Sequence, residues 1–294
     1  MKKFLYIIST LFILVGCGNK IDEKQNNDLS SVDSGAICIA VQPTFESLPL
    51  IVADDNNLFN RCGVKVILKM YTSQSDCDTA VAKGYADAMI TDIVRAAFWE
   101  RENKKTLNHA TWTNTHYMLI SSKKSRVKEL TQMTDKLMAV TRYSVSDVLA
   151  DSAMMRAKKT PEEMFKVQIN DQEIRLNMLL ENKMDAAFLQ HPYAAEAMVN
   201  GGNVLMHGGK SNSGILTFVE SVDSADVKNI LKSYDEACTQ INAKGVMHYA
   251  PLVEKYMRKD IRQWKKQIGE IKFKKSHPID HKYMDKAKQW VRDN

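Results

Sequence analysis

The sequence is short of the residues that mark special-purpose chains. Twelve glycines and six prolines in 294 residues rule out a fibrous repeat. The five cysteines include no Cys-x-x-Cys pair and have no nearby paired histidines, which removes the usual metal frameworks. No nucleophile elbow, Walker loop or His-Glu-x-x-His run occurs, so no motif argues for hydrolase, nucleotide-binding or metalloprotease chemistry. Charge of one sign is scarce too. The net charge of +6, from 41 basic and 35 acidic residues, is too mild to mark a nucleic-acid binder. What is present is ordinary globular composition, 44% hydrophobic and 26% charged. A chain of this length buries a core without disulfide staples and divides into about two domains.

The start of the chain has its own pattern. Met1-Lys2-Lys3 precedes an apolar run over residues 4–15, and Gly16-Cys17 ends it. The run is shorter than the ~20 residues that span a bilayer and reads as a secretory signal peptide over residues 1–16, the alternative being an uncleaved anchor. Leu14-Val15-Gly16-Cys17 resembles the bacterial lipobox. That resemblance implies that Cys17 becomes the first residue and carries several acyl chains, enough for stable anchoring. Residues 17–35 hold this cysteine and a polar segment with little to bury, read as a disordered tether of roughly 25 Å. An exported protein meets an oxidising compartment. Cys38, Cys62, Cys77 and Cys238 are then either buried free thiols or include one disulfide, for which Cys38–Cys62 is favoured, because both sit at the starts of strands expected to be neighbours.

From residue 37 onward strands and helices alternate. Strands are expected at 37–41, 64–68, 86–90, 107–113, 117–121, 137–140, 165–169, 186–189, 204–207 and 215–220. Helices are expected at 48–58, 75–83, 91–102, 146–158, 171–181, 192–200 and 224–244. This alternation implies parallel βαβ units. Gly84-Tyr85-Ala86-Asp87-Ala88 and Asn182-Lys183-Met184-Asp185-Ala186 echo each other, which suggests two lobes of one plan. Ligands of open parallel sheets bind outside the carboxyl ends of the strands, where helix N-termini offer free N–H groups. The candidate binding residues are therefore Gln42, Thr44, Ser73, Thr91 and Asp92 from the first unit. From the second they are Arg142, Tyr143, Ser144, Asn170, His191 and Tyr193.

Several segments also resemble a known family. They are Gln42-Pro43-Thr44, Leu48-Pro49-Leu50-Ile51-Val52-Ala53, Leu58-Phe59 and Gly63-Val64-Lys65-Val66. Together they resemble the opening of type II periplasmic binding proteins, in the branch that takes nitrate, sulfonates, taurine and thiamine pyrimidines. Gly84-x-x-Asp87-Ala88-x-x-Thr91-Asp92 and Asp185-Ala186-Ala187-x-x-x-x-Pro192-Tyr193 match the corresponding segments of the two lobes. The resemblance covers residues 37–219, with two departures. Asn182 stands where glycine is usual, and Gln190-His191 replaces the acidic residue before Pro192, so ligand preference does not carry over.

The resemblance implies an α/β fold of two lobes, each a mainly parallel sheet flanked by helices, with a ligand cleft between them. Lobe 1 would be residues 36–115 with 214–294, lobe 2 residues 116–213, and the crossings 113–121 and 207–214. It further implies a monomeric, lipid-anchored receptor that faces the periplasm or the outer face of the cell membrane. Such a receptor captures a sulfonate-like, nitrate-like or pyrimidine-like solute by hinge closure and delivers it to an ABC permease in the inner membrane, without cofactor, metal or nucleic acid. Two other classes stand beside it: an enzyme on the same scaffold with Glu46 or Asp92 in acid–base roles, and a sensor lipoprotein that no longer transports.

Each candidate side chain has a plain structural reading as well. Glu46, Asp92 and Asp171 are candidate cleft carboxylates, and Asp92 and Asp171 are equally readable as helix N-terminal residues stabilised by the dipole. Arg142 either holds an acidic solute or makes a surface ion pair. Trp112, Tyr143 and Tyr193 either stack on a ring or pack in the core, and His116 and His191 fall near turns. From residue 245 the chain carries thirteen Lys and Arg against six Asp and Glu. That excess is either a set of solvated helical faces or a contact for anionic headgroups.

Overall fold

The alternating pattern folds into two five-stranded sheets in a computed structural model, which describes residues 35–208 and 213–294. The expected signal peptide, Cys17 and its tether lie outside the described residues. The first sheet has the order β2-β1-β3-β10-β4. Its strands are β1 (Ile37–Val41), β2 (Val66–Met70), β3 (Ala88–Asp92), β4 (Leu107–Trp112) and β10 (Gly214–Val219). The second has the order β7-β6-β8-β5-β9. Its strands are β5 (Met118–Ser121), β6 (Leu137–Val140), β7 (Phe165–Gln168), β8 (Ala186–Leu189) and β9 (Asn203–His207). In each sheet three strands pair in parallel, and a fourth, β10 or β5, runs antiparallel to both its neighbours.

The helices are α1 (Leu48–Asp55), α2 (Leu58–Arg61), α3 (Gln74–Ala82), α4 (Ile93–Asn103), α5 (Val145–Arg156) and α6 (Gln172–Leu180). They continue as α7 (Tyr193–Val199), α8 (Ser224–Lys244), α9 (Ala250–Met257), α10 (Lys265–Ile268) and α11 (His281–Asp293). None is long and apolar enough to cross a membrane.

The central strands β1, β3 and β8 are buried along their whole length, as parallel strands covered on both faces must be. β2 lies two residues later than its sequence signal, with Ile37 opposite Val66. An even shift keeps every side chain on the same face. β3 runs on to Asp92, which is extended (φ −108°, ψ 161°) and caps α4 instead of entering it.

The internal echo has a physical counterpart. Gly84 (φ 73°) and Asn182 (φ 60°) both take the left-handed conformation that ends a helix. Asp87 Oδ2 then accepts from Cys38 N at 2.8 Å, and Asp185 Oδ2 from Leu137 N at 2.9 Å. In each sheet the same aspartate ties one strand to the start of its parallel neighbour.

Of the two readings of the cysteines the free-thiol one holds, and the alternative Cys38–Cys62 pair does not form: all four from Cys38 onward are free. Because β2 begins only at Val66, Cys62 stays in the turn that closes α2, its N–H bonded to Leu58 O at 3.0 Å. The basic tail is mostly helical and exposed, but it also packs. Met284, Ala287 and Val291 of α11 join a cluster with Ile93 and Ala96 of α4 and Met138 and Val140 of β6. One apolar cluster thus joins elements of both sheets.

Candidate solute cleft

The carboxyl ends of the two parallel sets bring polar residues together between the sheets. Backbone bridges cross there: Phe45 N donates to His191 O at 2.9 Å, and Ser73 pairs with Asp171. Arg95 Nη1 donates to Arg142 O at 3.0 Å. Lys259, which follows α9, reaches Glu173 of α6 and Glu196 of α7, each at 2.7 Å.

At the centre lies Glu46, in the short turn between β1 and α1. It is buried, and among the described residues it makes no ion pair. Thr113 Oγ1 donates a short hydrogen bond to its Oε1, and Gln190 Nε2 reaches Oε2 at 3.4 Å. The Thr115 hydroxyl lies beside the same carboxyl without a well-aligned bond. Burial in these surroundings pushes the Glu46 carboxyl up to about 7. Gly214 makes this arrangement fit: a Cβ at that position would collide with Glu46 Oε1 and with the hydroxyls of Thr113 and Thr115. A cavity of about 10 Å³, lined by Phe45, Glu46, Asn114, His116, Gln190, His191 and Ile271, opens beside the carboxyl. That is space for one water-sized group.

The neighbours set the electrostatics. Asp92 Oδ1 accepts from Val94 N at 3.0 Å and Arg95 N at 2.8 Å, so it is a helix cap, and Gln74 reaches its Oδ2 at 3.3 Å. Burial still pushes it up to about 6. His191 Nδ1 is buried without a partner, and burial pulls the ring down to about 4, so the imidazole is neutral. His116 is pulled down by burial and by Lys274. In the second sheet Arg175 is buried and spends its guanidinium on neutral acceptors: Phe188 O at 2.6 Å, Ile169 O at 3.0 Å and Thr141 Oγ1 at 2.7 Å.

Among the sequence candidates, Gln42, Thr44, Thr91, Asp92, Ser144 and His191 are buried near these strand ends. Ser73 caps α3 and Ser144 caps α5. Asp171 is the cap of α6, as its plain reading has it. Four other candidates are engaged elsewhere in this structure. Arg142 is exposed and pairs with Asp147 at 3.4 Å, because Asp147 in the first turn of α5 captures it. Tyr143 stacks on Phe98 at 4.5 Å and makes an edge contact with Trp290 of α11, so one face of its ring is already covered. Tyr193 is buried in the core of the second sheet beneath the Lys259 ammonium, 5.3 Å from its ring. Asn170 is half-exposed and hydrogen-bonds Gln168.

Thr113, Thr115, Gln190 and Arg175 were not among the candidates. Gln190 stood in a flagged turn, and the two threonines stood in the stretch read as a crossing. Among the described residues no group of three or more His, Cys, Asp or Glu is placed to hold a metal.

The two sheets and the polar cleft between them define a protein of the periplasmic binding protein fold. A family model described as NMT1/THI5 like matches residues 44–203, more than half of the chain. The chain belongs to that family. It is similar to the ligand-binding component of an ABC-type import system from Staphylococcus aureus, solved with zinc bound, at 15% identity and a TM-score of 0.74, covering 88% of this chain and 91% of that one. The alkanesulfonate-binding protein SsuA from Xanthomonas axonopodis, bound to MOPS, gives 13% identity, a TM-score of 0.74 and the same coverage. The nitrate-binding protein NrtA from Synechocystis gives 12% identity and a TM-score of 0.68, over 76% of this chain and 67% of that one. A search of curated proteins by sequence finds no match.

Proposed function

We propose that this protein is the solute-binding component of an ABC importer. It is exported, anchored through lipidated Cys17 and faces the periplasm or the outer face of the cell membrane. It works as a monomer with two lobes, residues 36–115 with 214–294 and residues 116–213. The lobes close on a small organic solute or anion and pass it to the permease in the inner membrane. The observation that carries this reading is the buried polar cleft around Glu46, which draws on both sheets and is bridged by the Phe45–His191 and Gln190–Glu46 contacts. Polar groups buried without full satisfaction oppose folding, so a cleft built of them points to an occupant that satisfies them. Family membership and the likeness to import-system binding proteins support the same reading.

The test is a thermal-shift and calorimetric screen of sulfonates, nitrate, pyrimidines and small amines. A true solute at a hundred times its Kd adds about 2.7 kcal/mol of stability. Failure of every class to stabilise the folded protein contradicts solute capture.

A further inference from the structure

We propose that the solute this cleft takes carries a protonated amine head group, an ammonium, which pairs with Glu46 of the interlobe cleft. The inference rests on the solute-binding reading above and deepens it.

A carboxyl group buried without a cation is costly and calls for a partner. The other acids near the cleft already have theirs. Asp92 takes the free N–H groups of α4, and Asp78 is paired with Arg95. Among the described residues the donors at Glu46 are neutral: Thr113, a distant Gln190 and the poorly aligned Thr115 hydroxyl. Of the basic groups nearby, Lys274 acts on His116 in the cavity wall, and the others are engaged elsewhere or neutral. Arg142 points to Asp147, Arg175 is consumed by carbonyls and a hydroxyl, and His191 and His116 are held neutral. An oxyanion would meet a carboxyl; a cation would neutralise it.

A second observation points the same way. The unpartnered Nδ1 of His191 is buried in the wall of the small cavity that Glu46 also lines. With its proton on Nε2, His191 offers Nδ1 as an acceptor beside the carboxylate, and a donor with more than one N–H satisfies both. The cavity admits one water-sized head group, the size of an ammonium, while Phe45 and Ile271 offer an apolar wall to what it is attached to.

The titration behaviour follows from the same surroundings. The ionisable groups around Glu46 are Asp92, His191, His116, Tyr117, Tyr234 and Cys77. The two tyrosines and the thiol are pushed upward by burial and stay neutral; both histidines are pulled downward. Asp92 and Glu46 alone titrate near neutrality. A cation selects the ionised carboxyl, so its binding weakens as pH falls through about 7 and releases a proton.

The experiment is calorimetry on the full chain with methylammonium chloride against methanesulfonate and nitrate, at pH 6 and pH 8, on wild type, Glu46→Gln and Arg142→Ala. The expected result is binding of methylammonium, weaker at pH 6 with proton release at pH 7. Glu46→Gln should weaken it at least thirtyfold, and Arg142→Ala should leave it unchanged. Wild-type pH dependence and proton release decide the matter even if the Gln variant folds poorly. Binding of methanesulfonate or nitrate in place of methylammonium overturns the head-group assignment and leaves solute capture standing. Cation binding that is indifferent to both pH and Glu46→Gln overturns the assignment as well. A cooperatively folded wild type that binds neither class overturns both.

Discussion

Glu46 is where the chemistry of this protein departs most from that of an ordinary folded chain. Its carboxyl has an ordinary value of 4.5 and sits near 7 in the fold because burial penalises the charge. The folded protein therefore holds a proton that the unfolded chain releases from about pH 4.5 upward. Stability from this group falls as pH rises between those values, by about 3 kcal/mol in total, and is lost above pH 7. Glu46→Gln has no charge to bury. Urea midpoints measured from pH 4.5 to 8 should show the variant gaining on wild type with rising pH, and a constant gap would contradict this account. The sequence showed Glu46 as a carboxylate near the cleft but gave greater weight to Arg142, Tyr143 and Tyr193. Their placement depends on contacts no local pattern reveals: Asp147 takes the guanidinium, Phe98 and Trp290 take one ring, and the second core takes the other. Gly214 was equally opaque, since its need for a bare backbone comes from Glu46, far away in the chain.

Among the elements, the βα units were legible because both levels of signal agree there. Buried apolar runs gave β1, β3, β6 and β8, and Asp171, read as a possible cap, does cap α6. The repeated Asp87 and Asp185 ties explain why the echo between the halves is more than composition. The tail was less legible. Its charge pattern described the solvated faces correctly but hid Lys259, the one lysine there that is buried. Lys259 spans from the end of α9, whose Met257 packs in the first core, to Glu173 and Glu196 on the second sheet's helices. Lys259→Met leaves two carboxylates facing each other without their cation. Glu173 is 43% exposed, so solvent screens part of the effect, and a loss of about 1 kcal/mol is expected in denaturation. Because the lost contact bridges the sheets, solute affinity should fall several-fold as well. Unchanged affinity would show that the bridge plays no part in closure.

The whole molecule works as two sheets whose strand ends face each other across one polar cleft. Apolar packing joins them along α4, β6 and α11, while the cleft itself is joined by few bonds, among them Phe45 N to His191 O. In the proposed closure the packed side is the hinge and the polar side is the mouth. Amide hydrogen exchange of the full chain, with and without the solute found by screening, tests this most directly. The account predicts slowed exchange on both sides of the cleft at once, at residues 44–47 and at residues 188–191, with little change across α8. Protection confined to one side, or to residues 242–272 of the tail, would contradict capture between the sheets.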